Sequence, residues 1–444
     1  MNVTTLSRSG LLLIALILLS TCRTRPIVAD SPAEELSIKE ITRELREADI
    51  QMRPLHNDHL NTHIQETFEL LIPQPIDHTD PSKGMFNQKV YLSHASSSAP
   101  MVMFLSGYAV GNNRYISEPT YELNANQIHV EHRFFGASIP EGEIPYAYLT
   151  IEQAAADHHR IVSLLKEVYR GSWVNSGISK GGQTTMYHRY FYPEDVDASV
   201  VYVAPLNQAR EDERIYEFLA NVGAEDCRKK VLAYQMELLL NYNQCYSLFL
   251  EKTAKRGYTY GLSTERAFEL SIFEYGFAFW QWSADCDAIP EAGSSFESMI
   301  DHLFLIDAPG FFTASSMTDI FPFFYQSYTE MGMYGYQIEQ FGGLTKEYTS
   351  NLSNYRTFIP ETFDLVYDGT VHQQVKEWLD SEAEDMVFIY GEYDPWSATG
   401  YVPNGTNNLF RFTIPEGNHG SRLGHLPQKE FSRFSDSLNV WINN

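Results

Sequence analysis

Gly177-Ile178-Ser179-Lys180-Gly181-Gly182 places a serine between close glycines, the G-x-S-x-G spacing of a nucleophile elbow. The turn is strained and leaves little room for neighbouring side chains, so glycines are the residues that fit it. A serine hydroxyl becomes a nucleophile when a base takes its proton, and that base needs a carboxylate to hold its tautomer. The chain supplies both in the order such hydrolases use: Asp394 in Gly391-Glu392-Tyr393-Asp394-Pro395-Trp396, then His419 in Glu416-Gly417-Asn418-His419-Gly420. The expected roles are Ser179 as nucleophile, His419 as general base and then acid, and Asp394 as its orienting carboxylate. Asp before a proline is also an ordinary turn residue, and His425 is the nearest competitor to His419, without its position just after a strand. Two oxyanion donors are expected, the backbone N–H of Lys180 and that of Tyr108 in Ser106-Gly107-Tyr108.

These residues need a sheet to present them. Short apolar runs at 68–72, 88–92, 101–105, 127–131, 173–174, 200–204, 386–390 and 409–414 read as strands. Between them, 151–169, 183–192, 371–381 and 428–442 have helical character. That alternation predicts an α/β class protein: a mostly parallel sheet with helices on both faces, and a large helical insertion. The predicted division is 46–207 and 371–444 for the α/β domain and 208–370 for the cap. Within the cap, 228–252 and 263–282 read as long helices, the second crowded with aromatic residues.

The 444 residues carry a net charge of −25, which argues against a nucleic-acid partner. Arg8 and the apolar run 11–19 have the pattern of an export signal, too short to span a bilayer. Leu19-Ser20-Thr21-Cys22 resembles a bacterial lipobox with Thr21 as an imperfect match. Two outcomes stand: a signal over 1–22 with Cys22 lipidated, the only expected membrane contact, or plain cleavage and secretion. Residues 23–45 read as a polar lead-in. Cys227, Cys245 and Cys286 then allow one disulfide and one leftover thiol, with no pairing preferred. None has metal-ligand spacing, and neither a metal nor a cofactor is expected.

Glu131-His132-Arg133-Phe134-Phe135-Gly136, with Ser138 and Pro140, resembles a motif of proline-specific serine exopeptidases. So does Tyr148-Leu149-Thr150-Ile151-Glu152-Gln153-Ala154-Ala155-Ala156-Asp157. The elbow, the Asp394 motif and Gly417-Asn418-His419-Gly420-Ser421-Arg422-Leu423 resemble those of secreted bacterial prolyl tripeptidyl and tetrapeptidyl aminopeptidases. The Pro-Xaa carboxypeptidase and dipeptidyl-peptidase II group is similar more distantly. The resemblance runs from about Thr67 to the end. It implies an α/β-hydrolase fold with a large helical cap insertion, peptide partners with a free N-terminus, and release of short peptides after proline.

Proline offers a rigid apolar ring without an N–H, which suits an aromatic wall, and Trp280 in the run 273–282 is a candidate for it. Glu274 in the same run is a candidate for binding the substrate ammonium; the alternative is packing and solvation on a helix. His132 and the pair His158-His159 read as structural. An esterase using the same triad and an inactive surface-binding scaffold are the readings from other classes.

Overall fold

The computed structural model describes residues 35–56, 62–112, 114–351, 353, 355–405 and 407–443. The expected export signal, Cys22 and the first part of the lead-in lie outside them. Nine strands are described: β1 (Gln51–Leu55), β2 (Glu66–Pro75), β3 (Met85–His94), β4 (Met101–Leu105), β5 (Asn126–Val130), β6 (Trp173–Ile178), β7 (Ala198–Tyr202), β8 (Met386–Gly391) and β9 (Leu409–Ile414). They form one sheet in the order β1-β2-β3-β5-β4-β6-β7-β8-β9. β1, β2, β3 and β5 pair antiparallel, and from β5 to β9 all pairings are parallel.

The parallel strands are continuous apolar runs because both faces are covered. Met101, Met103 and Leu105 of β4 join one buried cluster, and Val102 between them joins the other. Helices α1 (Ile38–Glu47), α2 (Glu118–Glu122), α3 (Ile151–Leu165) and α4 (Lys180–Phe191) belong to this half. Ile41 and Leu45 of α1 and Ile161 and Leu165 of α3 cover one face, and the closing helix covers the other through Phe434, Leu438 and Trp441. Each such side chain, fully buried, contributes roughly 1.5–3 kcal/mol of transfer free energy.

Between β7 and β8 the named elements are helices: α5 (Arg214–Asn221), α6 (Glu225–Leu240), α7 (Tyr242–Arg256), α8 (Thr264–Ala278), α9 (Phe296–Leu305), α10 (Ala308–Phe311), α11 (Ala314–Gln326), α12 (Tyr355–Phe358) and α13 (Thr370–Ser381). α14 (Gln428–Trp441) closes the chain. The fold is that of an α/β hydrolase with a helical cap. None of the described helices is long and apolar enough to cross a membrane.

Three local expectations change. Residues 35–45 are more than a tether: Ser37 and Glu40 form a capping box that starts α1, whose Ile41 and Leu45 are buried. The helix expected over 228–252 breaks at Asn241, whose side-chain amide donates to the Glu237 carbonyl and so competes with the backbone ladder. The helix expected over 263–282 ends at Ala278 and continues as a π-helical turn, Phe279–Ser283, stopped by Ala284 at φ 57°.

The two motifs after β5 and in α3 meet in a buried charge cluster. Arg133 donates to both Asp157 carboxylate oxygens at 2.7 and 2.8 Å, and to the Tyr148 and Ile76 carbonyls. Glu131 accepts from the backbone N–H groups of Val110 and Ala137, from Ser138 Oγ, and pairs with Lys89. His132 is buried and held well below its usual pKa, chiefly by burial, and its backbone N–H donates to the Tyr108 carbonyl. These motifs therefore frame the loop after β4.

Asp157→Asn leaves Arg133 buried without its counter-charge and should cost about 3–5 kcal/mol of stability by denaturant unfolding. A loss under about 1 kcal/mol would show that the pair is dispensable. In the cap, Cys227 and Cys286 are joined and Cys245 is a buried free thiol. The Cys227→Ser/Cys286→Ser double variant should lose about 2–4 kcal/mol, read as a lower thermal midpoint that matches the reduced wild type.

Candidate active site

In the sheet order, β5 and β6 lie on opposite sides of β4, so the chain reverses direction across the sheet there. Crevices at the carboxyl ends beside such a reversal are where ligands bind in open α/β sheets. Ser179 stands at the carboxyl end of β6, before α4, at φ 57° and ψ −123°. The strain is held by contacts that exclude side chains. A Cβ at Gly177 would overlap the Gly181 carbonyl, one at Gly181 the Leu105 carbonyl, and one at Gly182 would lie 2.7 Å from Ala204 Cβ. The Ser179 N–H donates to the Tyr202 carbonyl at 2.8 Å.

Asp394 follows β8 and is fully buried. Its Oδ1 accepts from the Trp396 N–H at 3.2 Å, which starts a 3₁₀ turn. Its Oδ2 is 2.8 Å from His419 Nδ1. A carboxylate can only accept, so Nδ1 carries a hydrogen, and in the neutral tautomer the lone pair is on Nε2. His419 lies in the loop after β9, buried, and His425 sits further on in a 3₁₀ turn. Ser179 and His419 line one cavity of about 900 Å³, within the range of ligand sites. Lys180, Tyr108, Glu274 and Trp396 line it too.

Lys180 is the first residue of α4, where backbone N–H groups have no partner inside the helix. Its side chain is buried, which holds the ammonium well below its usual pKa against the opposing pull of Glu330. It donates to the Gly107 carbonyl at 2.8 Å, and a Cβ at Gly107 would lie 2.5 Å from Lys180 Cβ. The backbone N–H of Tyr108 donates to Ser106 Oγ at 3.1 Å, the serine closing a tight turn on its own loop. What Tyr108 gives the cavity wall is its ring, which packs against Phe135 and Phe323.

Glu274 is 5% exposed within the cap. It accepts from Tyr334 Oη at 2.9 Å and from Tyr336 Oη at 2.5 Å, and burial pushes its carboxyl up to about 7. Trp280 does not join this cavity. Its ring is buried edge-on to Phe279 and Tyr393 and lines a separate cavity of about 460 Å³. Trp282 faces the Ser179 cavity instead, on the helical face of Glu274 and Ala278 at i, i+4 and i+8, whereas Trp280 shares the face of Phe273 and Phe277. The aromatic run 273–282 was the expected wall, and Trp282 is its member at this cavity; sequence reasoning passed over Phe311, Phe323, Tyr334 and Arg422 as lining residues. Trp396 carried a signal, standing two residues after Asp394. Among the described residues no cluster of His, Cys, Asp and Glu could hold a metal ion.

Residues 55–442 match the family PS-10 peptidase S37. The chain is 32% identical over 378 residues to the prolyl tri/tetrapeptidyl aminopeptidase of Streptomyces mobaraensis, covering 83% of this chain and 78% of that protein. It is 26% identical over 158 residues to the lysosomal Pro-X carboxypeptidase of Homo sapiens, covering 31% of this chain and 32% of that protein. Among solved structures, the proline iminopeptidase of Mycobacterium smegmatis superposes with a TM-score of 0.41 at 13% identity, over 84% of this chain and 99% of that one. The chain belongs to the PS-10 peptidase S37 family and is a serine peptidase.

Proposed function

We propose that the protein is an exported serine exopeptidase that releases tri- and tetrapeptides after proline from free N-termini. The observation that carries this reading is the His419–Asp394 hydrogen bond in the cavity that Ser179 lines, with the buried acid Glu274 on the same wall. In the proposed cycle, His419 Nε2 takes the Ser179 hydroxyl proton as Oγ attacks the proline carbonyl. Asp394 holds Nδ1–H and stabilises the imidazolium. The backbone N–H groups of Lys180 and Tyr108 are the proposed oxyanion donors. The imidazolium then gives its proton to the departing amine, and water cleaves the ester by the reverse proton path.

Glu274 is the proposed partner of the substrate ammonium, and the aromatic rings of Tyr108, Phe323 and Trp396 suit a proline ring. The peptide length rests on the relative from Streptomyces mobaraensis, named for tri- and tetrapeptides. The proposed division is 46–207 with 371–444 for chemistry and 208–370 for the cap, with 1–22 as the export signal. A dipeptidyl peptidase would use the same groups with a shorter acyl chain. A Pro-Xaa carboxypeptidase would need a cation for the free carboxylate, and Arg422 lines the cavity, although Nη1 is occupied by the His419 and Ser421 carbonyls.

Ser179→Ala should lower kcat/KM on an Ala-Ala-Pro amide by more than about 10⁴-fold while the thermal midpoint holds. Retained turnover would remove Ser179 from the chemistry, and turnover of short-chain esters alone would make the protein an esterase. Glu274 is neutral below about pH 7 and ionised above it. A peptide N-terminus is cationic below about pH 8. The preference for a free over an acetylated amine should therefore rise through pH 7 and fall beyond pH 8. Glu274→Gln should flatten that profile and cut the preference by about 10–100-fold, the worth of a charge-assisted hydrogen bond of roughly 1.5–3 kcal/mol. A preference that is unchanged in Glu274→Gln places the ammonium elsewhere.

A further inference from the structure

Trp282 is the one aromatic residue of the run 273–282 that the cap leaves in the open. Phe273, Tyr275, Phe277, Phe279 and Trp280 are buried in the cap core, whereas Trp282 is 57% exposed. Its indole stands edge-to-face with the His419 imidazole, ring centres 5.2 Å apart and planes at 85°. Its position is fixed from both sides. The His419 N–H donates to the Gln281 carbonyl at 3.0 Å, and Asn418 Nδ2 donates to the Trp282 carbonyl at 2.9 Å. Leu305, 74% exposed, lines the same cavity. Trp282 beside the imidazole and Leu305 elsewhere on the same cavity leave apolar surface that a ligand would cover.

The chemistry says which part of the ligand. On the peptidase reading above, on which this inference rests, His419 hands its proton to the nitrogen of the departing residue. That nitrogen must come within about 3 Å of Nε2. The side chain of the departing residue then lies beside whatever flanks the imidazole. The acyl part is committed to the opposite requirement, its ammonium drawn toward the buried Glu274. We propose that Trp282 forms the leaving-group subsite and makes the enzyme select an aromatic or large aliphatic residue directly after the scissile proline.

The test uses the full-length enzyme and four free-amine peptides, Ala-Ala-Pro-Xaa-amide, with Xaa as Phe, Leu, Ala or Gly. Release of Ala-Ala-Pro is followed by chromatography. The wild type should favour Phe and Leu over Gly by about 10-fold or more in kcat/KM, the discrimination an apolar pocket supplies. Trp282→Ala should bring that ratio close to one, and Trp282→Phe should keep most of it. A structural role through His419 alone would lower all four peptides by one common factor and leave the ratio intact, which overturns the proposal. A wild type indifferent to Xaa overturns it as well. Absence of Ala-Ala-Pro release from every peptide by the wild type would overturn the peptidase specificity itself, and this inference with it.

Discussion

The backbone of α4 at Gly181 and Gly182 lies against Leu105 and Ala204 with no space for a methyl group between them. Gly177 meets the same helix from below. That close approach is what lets Ser179 sit at a positive φ on the crest between β6 and α4, with its N–H on the Tyr202 carbonyl. A larger side chain at any of the three positions would push the helix off the strands and carry the serine with it. Strain of this kind, roughly 1–3 kcal/mol, persists only where the surroundings over-determine it. Here three strands and one helix do so together.

The same logic extends outward through charge. Glu131, His132 and Arg133 are buried in succession; the first two bond the backbone of the loop after β4, and Arg133 bonds the Tyr148 carbonyl. A buried ion pair is a weak source of net stability, but it leaves few alternative arrangements for the segments it joins. The Glu131 carboxylate and the His132 N–H hold Val110 and Tyr108, and Lys180 holds Gly107 from the other side. The loop beside Ser179 is therefore clamped by polar contacts while the sheet beneath is packed by apolar ones.

Much of this was legible because the signals are local. The apolar runs of β4, β7 and β8 mark strands buried on both faces, and the glycine turns after β6 and β8 mark where Ser179 and Asp394 leave the sheet. What escaped has physical causes. β1 is a polar edge strand with Pro54 in it, so it shows no alternation. The Ser37–Glu40 capping box was present in the sequence but sat in a segment whose polarity suggested a tether. The π-helical turn at 279–283 has no glycine or proline to announce it, and which face of this helix meets the cavity, that of Trp282 or that of Trp280, is set by tertiary packing. The hydrogen bond of the Tyr108 N–H depends on the Ser106 rotamer, which residue order does not encode. The three cysteines offered no spacing that favours one pair; folding brings α6 and the segment after the π-helical turn together and leaves Cys245 inside.

The carbonyls of Gln281 and Trp282 tie the cap to the loop that carries His419, and the disulfide at Cys286 fastens the following residues to α6. A roof attached at that point carries the His419 loop with it, so the position of the cap and the position of the imidazole are set together.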